Sequence, residues 1–181
     1  RVLFRSLNLE QLTELLRENN VRLLVDASHP YALVVTQNAV EACKILNIEY
    51  VRYERPSIID DRDDRILRVL DFEDLRSKLS EIEGTILNTT GSRQMEKLIA
   101  MNLENRIIHR VLPSTEVMEK CFSLGVKTED IIAIKGPIGY ELNCAFIKEY
   151  NAKAMIMKDS GVQGGTEEKL RAALDCNIVP I

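Results

Sequence analysis

Asp26, Ser28 and His29 follow directly on the apolar run Leu23-Leu24-Val25, and Arg52, Glu54 and Arg55 close a second run further along. A hydroxyl and an imidazole beside two guanidinium groups suit the binding of carboxylates or phosphates and the transfer of a proton near neutral pH. Each of these residues also has a plainer reading. Arg52 and Arg55 can pair with Glu54 or Asp26, and His29, standing before Pro30, can fix a turn through its backbone. Three further stretches combine glycine with hydroxyl or cationic side chains: TTGSR at 89–93, KGP at 135–137 and KDSGVQGG at 158–165. Glycine lets the backbone approach a ligand closely, and the free N–H groups of a helix start attract anions. Any one of them reads as an ordinary turn before a helix. Three at one edge of one sheet point to an anion-binding cleft.

The elements that must position these groups are legible from periodicity. Leu23–Val25 reads as a strand buried on both faces. Ala32, Val35, Ala39, Ala42, Cys43 and Leu46 recur at helical spacing, and Ile48–Tyr53 reads as a second strand. Strand, helix and strand make a βαβ unit with parallel strands, whose carboxyl ends gather ligands. Upstream, Arg1–Phe4 has the pattern of a strand, and Asn8 caps a helix to about Asn19, with Gln11 completing a capping box. Three strands make little core, so an N-terminal segment is expected to be missing.

After Pro56 a charged, aperiodic connector begins, and the domain boundary is expected within 57–83, drawn at residue 70. Arg65–Leu70 reads as a short strand, and Asp71 caps a helix over Phe72–Ile82 that Gly84 ends. Strands are then expected at 85–87, 106–111, 131–134, 154–157 and 178–181. Helices are expected at 93–101, 114–124, from 139 to about 151, and at 166–174. The class is therefore α/β: two Rossmann-like lobes with parallel sheets, residues 1–70 forming a truncated N-terminal lobe and 71–181 the C-terminal one.

Composition narrows the function. The 181 residues carry 45% hydrophobic and 29% charged side chains with net charge −4, values of a globular protein without the basic surface that nucleic-acid binding needs. No apolar run approaches the roughly 20 residues of a membrane span. Cys43, Cys121, Cys144 and Cys176 are far apart and read as free thiols of a reducing, cytoplasmic compartment. There is no nucleophile elbow, no HExxH and no CxxC pair, so hydrolase and zinc chemistry are not indicated and no metal is expected.

Seven segments in order, DASHPYA (26–32), NAVEAC (38–43), YVRYERP (50–56), TTGSRQMEKL (89–98), RVLP (110–113), IAIKGPIGYELN (132–143) and KDSGVQGGTEEKL (158–170), resemble the precorrin-6A and cobalt-precorrin-6A reductase family of cobalamin biosynthesis. The resemblance implies an NADPH- or NADH-dependent oxidoreductase that reduces a ring double bond of a polycarboxylated tetrapyrrole, with cofactor and substrate between two Rossmann-like lobes. It implies cofactor binding by Thr89, Thr90, Gly91, Ser92, Arg93, Lys135, Gly136, Pro137, Lys158, Asp159, Ser160 and Gly161. Substrate contacts fall to Ser28, Tyr31, Arg52, Glu54, Arg55, Gly164 and Gly165, and proton transfer to His29. Arg52, Arg55, Arg93, Arg110 and Lys158 stand at expected strand ends, where they can meet carboxylates. Ser28 replaces a commoner threonine and Lys135 a commoner glutamine, and no GGT-type opening turn precedes Arg1. A non-catalytic nucleotide- or anion-binding α/β module and a methyltransferase-like α/β domain remain as alternatives.

Overall fold

The computed structural model describes residues 7–28, 32–54, 59, 63–160 and 164–181. The chain divides into two compact units, 1–56 and 57–181. The expected strand Arg1–Phe4 lies outside the described residues.

In the first unit, helix α1 (Leu9–Glu18) opens with the expected reciprocal cap. The Asn8 side chain accepts from the Gln11 N–H at 2.8 Å, and Gln11 accepts from the Asn8 N–H at 3.2 Å. Strand β1 (Leu23–Asp26), helix α2 (Leu33–Leu46) and strand β2 (Glu49–Arg52) form the βαβ unit, with β1 and β2 parallel and Asp26 opposite Arg52. Asn47 ends α2 in the left-handed conformation that asparagine tolerates better than most residues. The expectation that β1 is buried on both faces does not hold for the described residues. Leu23, Val25 and Val51, which share one face, are about half exposed, whereas Asp26 on the other face is 6% exposed. Side chains alternate across a strand, so a helix laid on one face covers only every second residue.

The second unit begins earlier than the expected residue 70. Leu67 and Val69 pack against its core, and the Leu67 N–H donates to the Pro180 carbonyl at 2.9 Å. Arg65–Leu70, expected as a strand, is not one; it runs beside the last strand without a continuous ladder. Helix α3 (Phe72–Ser80) is capped by Asp71, which accepts from the Asp74 N–H at 2.9 Å. There follow β3 (Thr85–Asn88), α4 (Met95–Ala100), β4 (Ile107–Val111), α5 (Thr115–Ser123), β5 (Ile131–Ala133), α6 (Tyr140–Glu149), β6 (Ala152–Ile156), α7 (Thr166–Asp175) and β7 (Val179–Pro180).

These strands form one five-stranded sheet in the order β5-β4-β3-β6-β7, with every pair parallel. Apolar side chains of β3, β4 and β6 fill both faces. Leu87, Ile108 and Met155 join the layer under α6 and α7, and Ile86, Ala154 and Ile156 join the layer under α3 and α4. The strand that comes first in this sheet, β3, sits at its centre, and the chain winds outward to β4 and β5 and then back to β6 and β7. The reversal falls between β3 and β6, and in open parallel sheets the crevice outside the carboxyl ends at such a reversal is where ligands bind.

Leu87 is fully buried on the central strand. Leu87→Ala is expected to destabilise the chain by about 2–5 kcal/mol in urea denaturation, the cost of lost burial plus a cavity. A loss below ~1 kcal/mol would mean that β3 is not the centre of this core.

Candidate functional site

Asn88, the last residue of β3, organises the carboxyl edge of the second unit. It is fully buried, and its Oδ1 accepts from the Thr90 N–H at 3.0 Å and the Thr90 hydroxyl at 2.7 Å. The other end of the same amide, Nδ2, lies 3.0 Å from His109 Nδ1 on the neighbouring strand. Because an amide nitrogen donates, His109 must accept and hold its proton on Nε2. Burial lowers the pKa of His109 to about 4, against a smaller opposing influence of Asp130, so the imidazole is neutral at physiological pH. His109 is thus a structural partner.

The loop after β3 is tied to the strand across the reversal. The Thr89 N–H and hydroxyl both donate to the Ile156 carbonyl, at 2.9 and 2.8 Å. Arg93 on this loop and Lys158 on the loop after β6 are close enough for the guanidinium to add to burial in lowering the lysine pKa. Ser160 is buried and its N–H donates to Thr166 Oγ1 at 3.1 Å, while the Thr166 hydroxyl donates to the Lys158 carbonyl at 3.2 Å. A side chain on Gly164 would stand 2.4 Å from Ser160 Cβ, and one on Gly165, at φ +64°, would stand 2.9 Å from Pro137 Cβ. These two glycines are therefore required by packing, whatever ligand the loop also meets. The Pro137 contact draws the loop after β5, with its exposed Lys135 and Gly136, to the start of α7.

All three glycine-bearing loops of the second unit therefore gather at one sheet edge. Nothing lies within 4 Å of where a side chain would stand at Gly91 or Gly136, so the backbone there is open to approach. Among the described residues no side chain caps the N-termini of α4, α6 or α7, in contrast to α5, where Ser114 accepts from the Val117 N–H. Uncapped first-turn N–H groups are the ones an anion can take.

Two residues here, Asn143 and Lys169, escaped the site assignment from sequence, whereas Arg110 was expected there as a strand-end cation able to meet carboxylates. Arg110, at the end of β4, is half-buried, and its Nη1 donates to Asn143 Oδ1 on α6 at 2.7 Å. Lys169, in the first turns of α7, is only 5% exposed. The signal was present: Lys169 lies in the same stripe as buried Thr166, Ala172 and Ala173, where an apolar residue is the rule.

The first-unit edge is differently used. Arg52 Nη1 lies 2.7 Å from Asp26 Oδ2 and donates to Ser28 Oγ and Thr36 Oγ1, each at 3.0 Å. Tyr50 donates to the same Asp26 carboxylate at 2.9 Å. Burial opposes ionisation of Asp26, yet hydrogen bonds from Ser28, Tyr50 and Thr36 hold its pKa far below the usual carboxylate range. The ion-pair reading of Arg52 is the one the structure contains, and Ser28 is bound up in it. Glu54 is exposed. His29, Tyr31, Arg55 and Gly161 lie outside the described residues. Among the described residues no group of three or more His, Cys, Asp or Glu side chains is arranged to hold a metal ion. No described helix is long and apolar enough to cross a membrane.

Comparison with known proteins shows the family. The model of the precorrin-6x reductase family, CbiJ/CobK, matches residues 1–181. The chain belongs to this family. It is 36% identical to the cobalt-precorrin-6A reductase of Methanothermobacter thermautotrophicus, over 98% of this chain and 59% of that protein. It is 35% identical to the cobalt-precorrin-6A reductase of Priestia megaterium, over 98% of this chain and 71% of that one. The chain thus spans about three fifths to seven tenths of the length of these relatives. A solved CobK precorrin-6A reductase shares the fold, with a TM-score of 0.74 at 19% identity over 97% of this chain and 69% of that structure.

Asp26→Asn removes the only anion paired with Arg52 among the described residues, and is expected to cost about 3 kcal/mol at pH 7 in urea denaturation, the usual penalty for orphaning a part-buried charge. The folded pKa of Asp26 lies below its unfolded value of about 3.9, so its contribution is complete above about pH 4 and is lost as pH falls toward the folded value. The acid slope of stability should be shallower in the variant. Equal stabilities at pH 7 would show the pair to contribute nothing.

Proposed function

We propose that this chain uses NADPH or NADH to reduce a ring double bond of cobalt-precorrin-6A or precorrin-6A, a step in building the corrin ring. The observation that carries this reading is the family match over the whole of residues 1–181. Relatives at 34–36% identity are named for the cobalt-containing substrate, which favours that form. The four free thiols fit work in the cytoplasm.

The residues at the edge of the second unit fit a dinucleotide. Open backbone at Gly91 and Gly136 and the uncapped starts of α6 and α7 suit its phosphates, with Arg93, Lys135 and Lys158 as counter-charges. Thr89, Thr90, Ser92, Pro137, Asp159, Ser160 and Gly161 shape or line the same loops. When bound, the nicotinamide supplies the hydride. The chain has to position it, exclude water and place the acceptor carbon. Thr89 fixes the loop after β3 to β6, and Asn88 sets the turn at Thr90 without bearing charge itself.

For the macrocycle, Tyr31, Glu54 and Arg55 keep the contact role proposed from sequence. Ser28 and Arg52 act behind them by holding the ends of β1 and β2, and Gly164 and Gly165 by letting the last loop close. His29 is the proposed proton donor to the carbon next to the hydride acceptor.

Anaerobic incubation of the tetrapyrrole with the protein and NADPH or NADH should oxidise the nucleotide in step with loss of the macrocycle's absorbance. Binding of the nucleotide without turnover would favour a non-catalytic module, and binding of a methyl donor instead would favour a methyltransferase. His29→Ala is expected to lower kcat by about 100-fold, the low end of what a positioned proton donor contributes. An unchanged rate and unchanged affinities would remove His29 from the mechanism.

A further inference from the structure

We propose that Arg110 and Lys169 together form a partly buried seat for one oxyanion of the ligand, a carboxylate or a phosphate, between the end of β4 and the first turns of α7. The seat deepens the reductase reading, on which only the identity of its ligand rests.

Lys169 is only 5% exposed, and among the described residues its ammonium makes no hydrogen bond or ion pair. Four charged groups face it: Arg110 and Lys158, which repel it, and Glu168 and Asp159, which attract it. Neither carboxylate is paired with it. Glu168 Oε2 is itself buried without a hydrogen-bond partner. Burial first, and then Arg110, lower the pKa of Lys169 to about 8. The Lys169 stem is buried but its Nζ is not among the buried unpartnered atoms, so the charge sits at the mouth of the packed layer, where an arriving anion can reach it.

Arg110 supplies the second half of the seat. Asn143 is fully buried, and its Nδ2 donates to the carbonyls of Ile138 and Gly139 at 3.2 and 2.9 Å. Those two bonds fix which way the amide points and leave Oδ1 for the guanidinium, at 2.7 Å. Asn143 is a neutral acceptor for one of five donors, so the guanidinium is oriented but not neutralised. Burial lowers the Arg110 pKa to about 10, and it remains a cation. Two cations near enough for one to lower the pKa of the other, Lys169 with a buried stem and Arg110 half-buried and aimed by a fixed amide, suit the oxygens of a carboxylate or phosphate.

The test is thermal unfolding of the full chain with inorganic phosphate against chloride at equal ionic strength. The wild type should gain several degrees in Tm with phosphate. Lys169→Met, which keeps the stem and removes the charge, should fold with equal or higher Tm in chloride and lose the phosphate gain, and Arg110→Gln should lose it as well. Titrations then identify the source. A tenfold or greater weakening of NADPH or NADH by Lys169→Met assigns a cofactor phosphate, with NADPH alone affected if it is the 2′-phosphate. The same weakening of the tetrapyrrole assigns a substrate carboxylate. A phosphate gain that survives in both variants, or is absent from the wild type, overturns the proposal, as do unchanged affinities for all three ligands. If the wild type shows the phosphate gain and nucleotide binding yet never oxidises NADPH or NADH, the reductase reading fails and the seat stands.

Discussion

The second unit depends on one constraint, the parallel pairing of β3 with both β4 and β6. Parallel strands end on the same edge, so every loop that leaves β3, β4, β5 or β6 leaves there too. The crossover from β5 back to β6 then places the reversal of winding beside β3. Everything chemically notable in this unit follows from that placement. Asn88, Thr89, Arg110 and Lys158 come from three strands and 71 residues of sequence, yet they border one another because their strands do. The apolar faces of the same strands provide the burial that holds the pairing, so the site and the core share a backbone.

The carboxyl edge of this unit is stiffly braced. Asn88 uses both ends of its amide, one on Thr90 and one on His109. Thr89 binds the loop of one strand to the carbonyl of the next, and Ser160 and Thr166 brace the loop after β6. Each is a buried or half-buried polar group with its partner in place, the condition under which such groups specify one geometry. Against this background Arg110 and Lys169 stand out, two cations for which no ion pair is seen among the described residues. In the first unit the opposite holds: Arg52 and Asp26 satisfy each other, so that edge carries no comparable unspent charge among the described residues.

Much of this was legible in sequence because it is local. Asn8 and Asp71 cap the helices their positions announce, and short apolar runs mark the strands of the second unit. The α/β class and the gathering of the glycine-bearing loops at one edge followed from the alternation. What was not legible is non-local. Arg65–Leu70 has a strand's pattern but lies beside a strand, β7, of only two residues, which offers no length to pair with. Leu23-Leu24-Val25 looks doubly buried because three apolar residues in a row cannot say which face is covered. The pairing of Arg52 with Asp26 and the burial of Lys169 depend on which elements pack together, which one sequence does not state. Gly164 and Gly165 look like ligand-approach glycines, and Ser160 and Pro137 supply a packing reason for them that only the fold contains.

The central claim is that the loops leaving β3 and β6 form the nucleotide-binding edge. Amide hydrogen exchange by mass spectrometry, with and without saturating NADPH, tests it most directly. Exchange should slow in peptides spanning Thr89–Arg93 and Lys158–Ser160 and stay unchanged in peptides at the opposite ends of the strands, Asn102–Arg106 and Gly125–Asp130. Protection confined to those opposite ends would contradict the account.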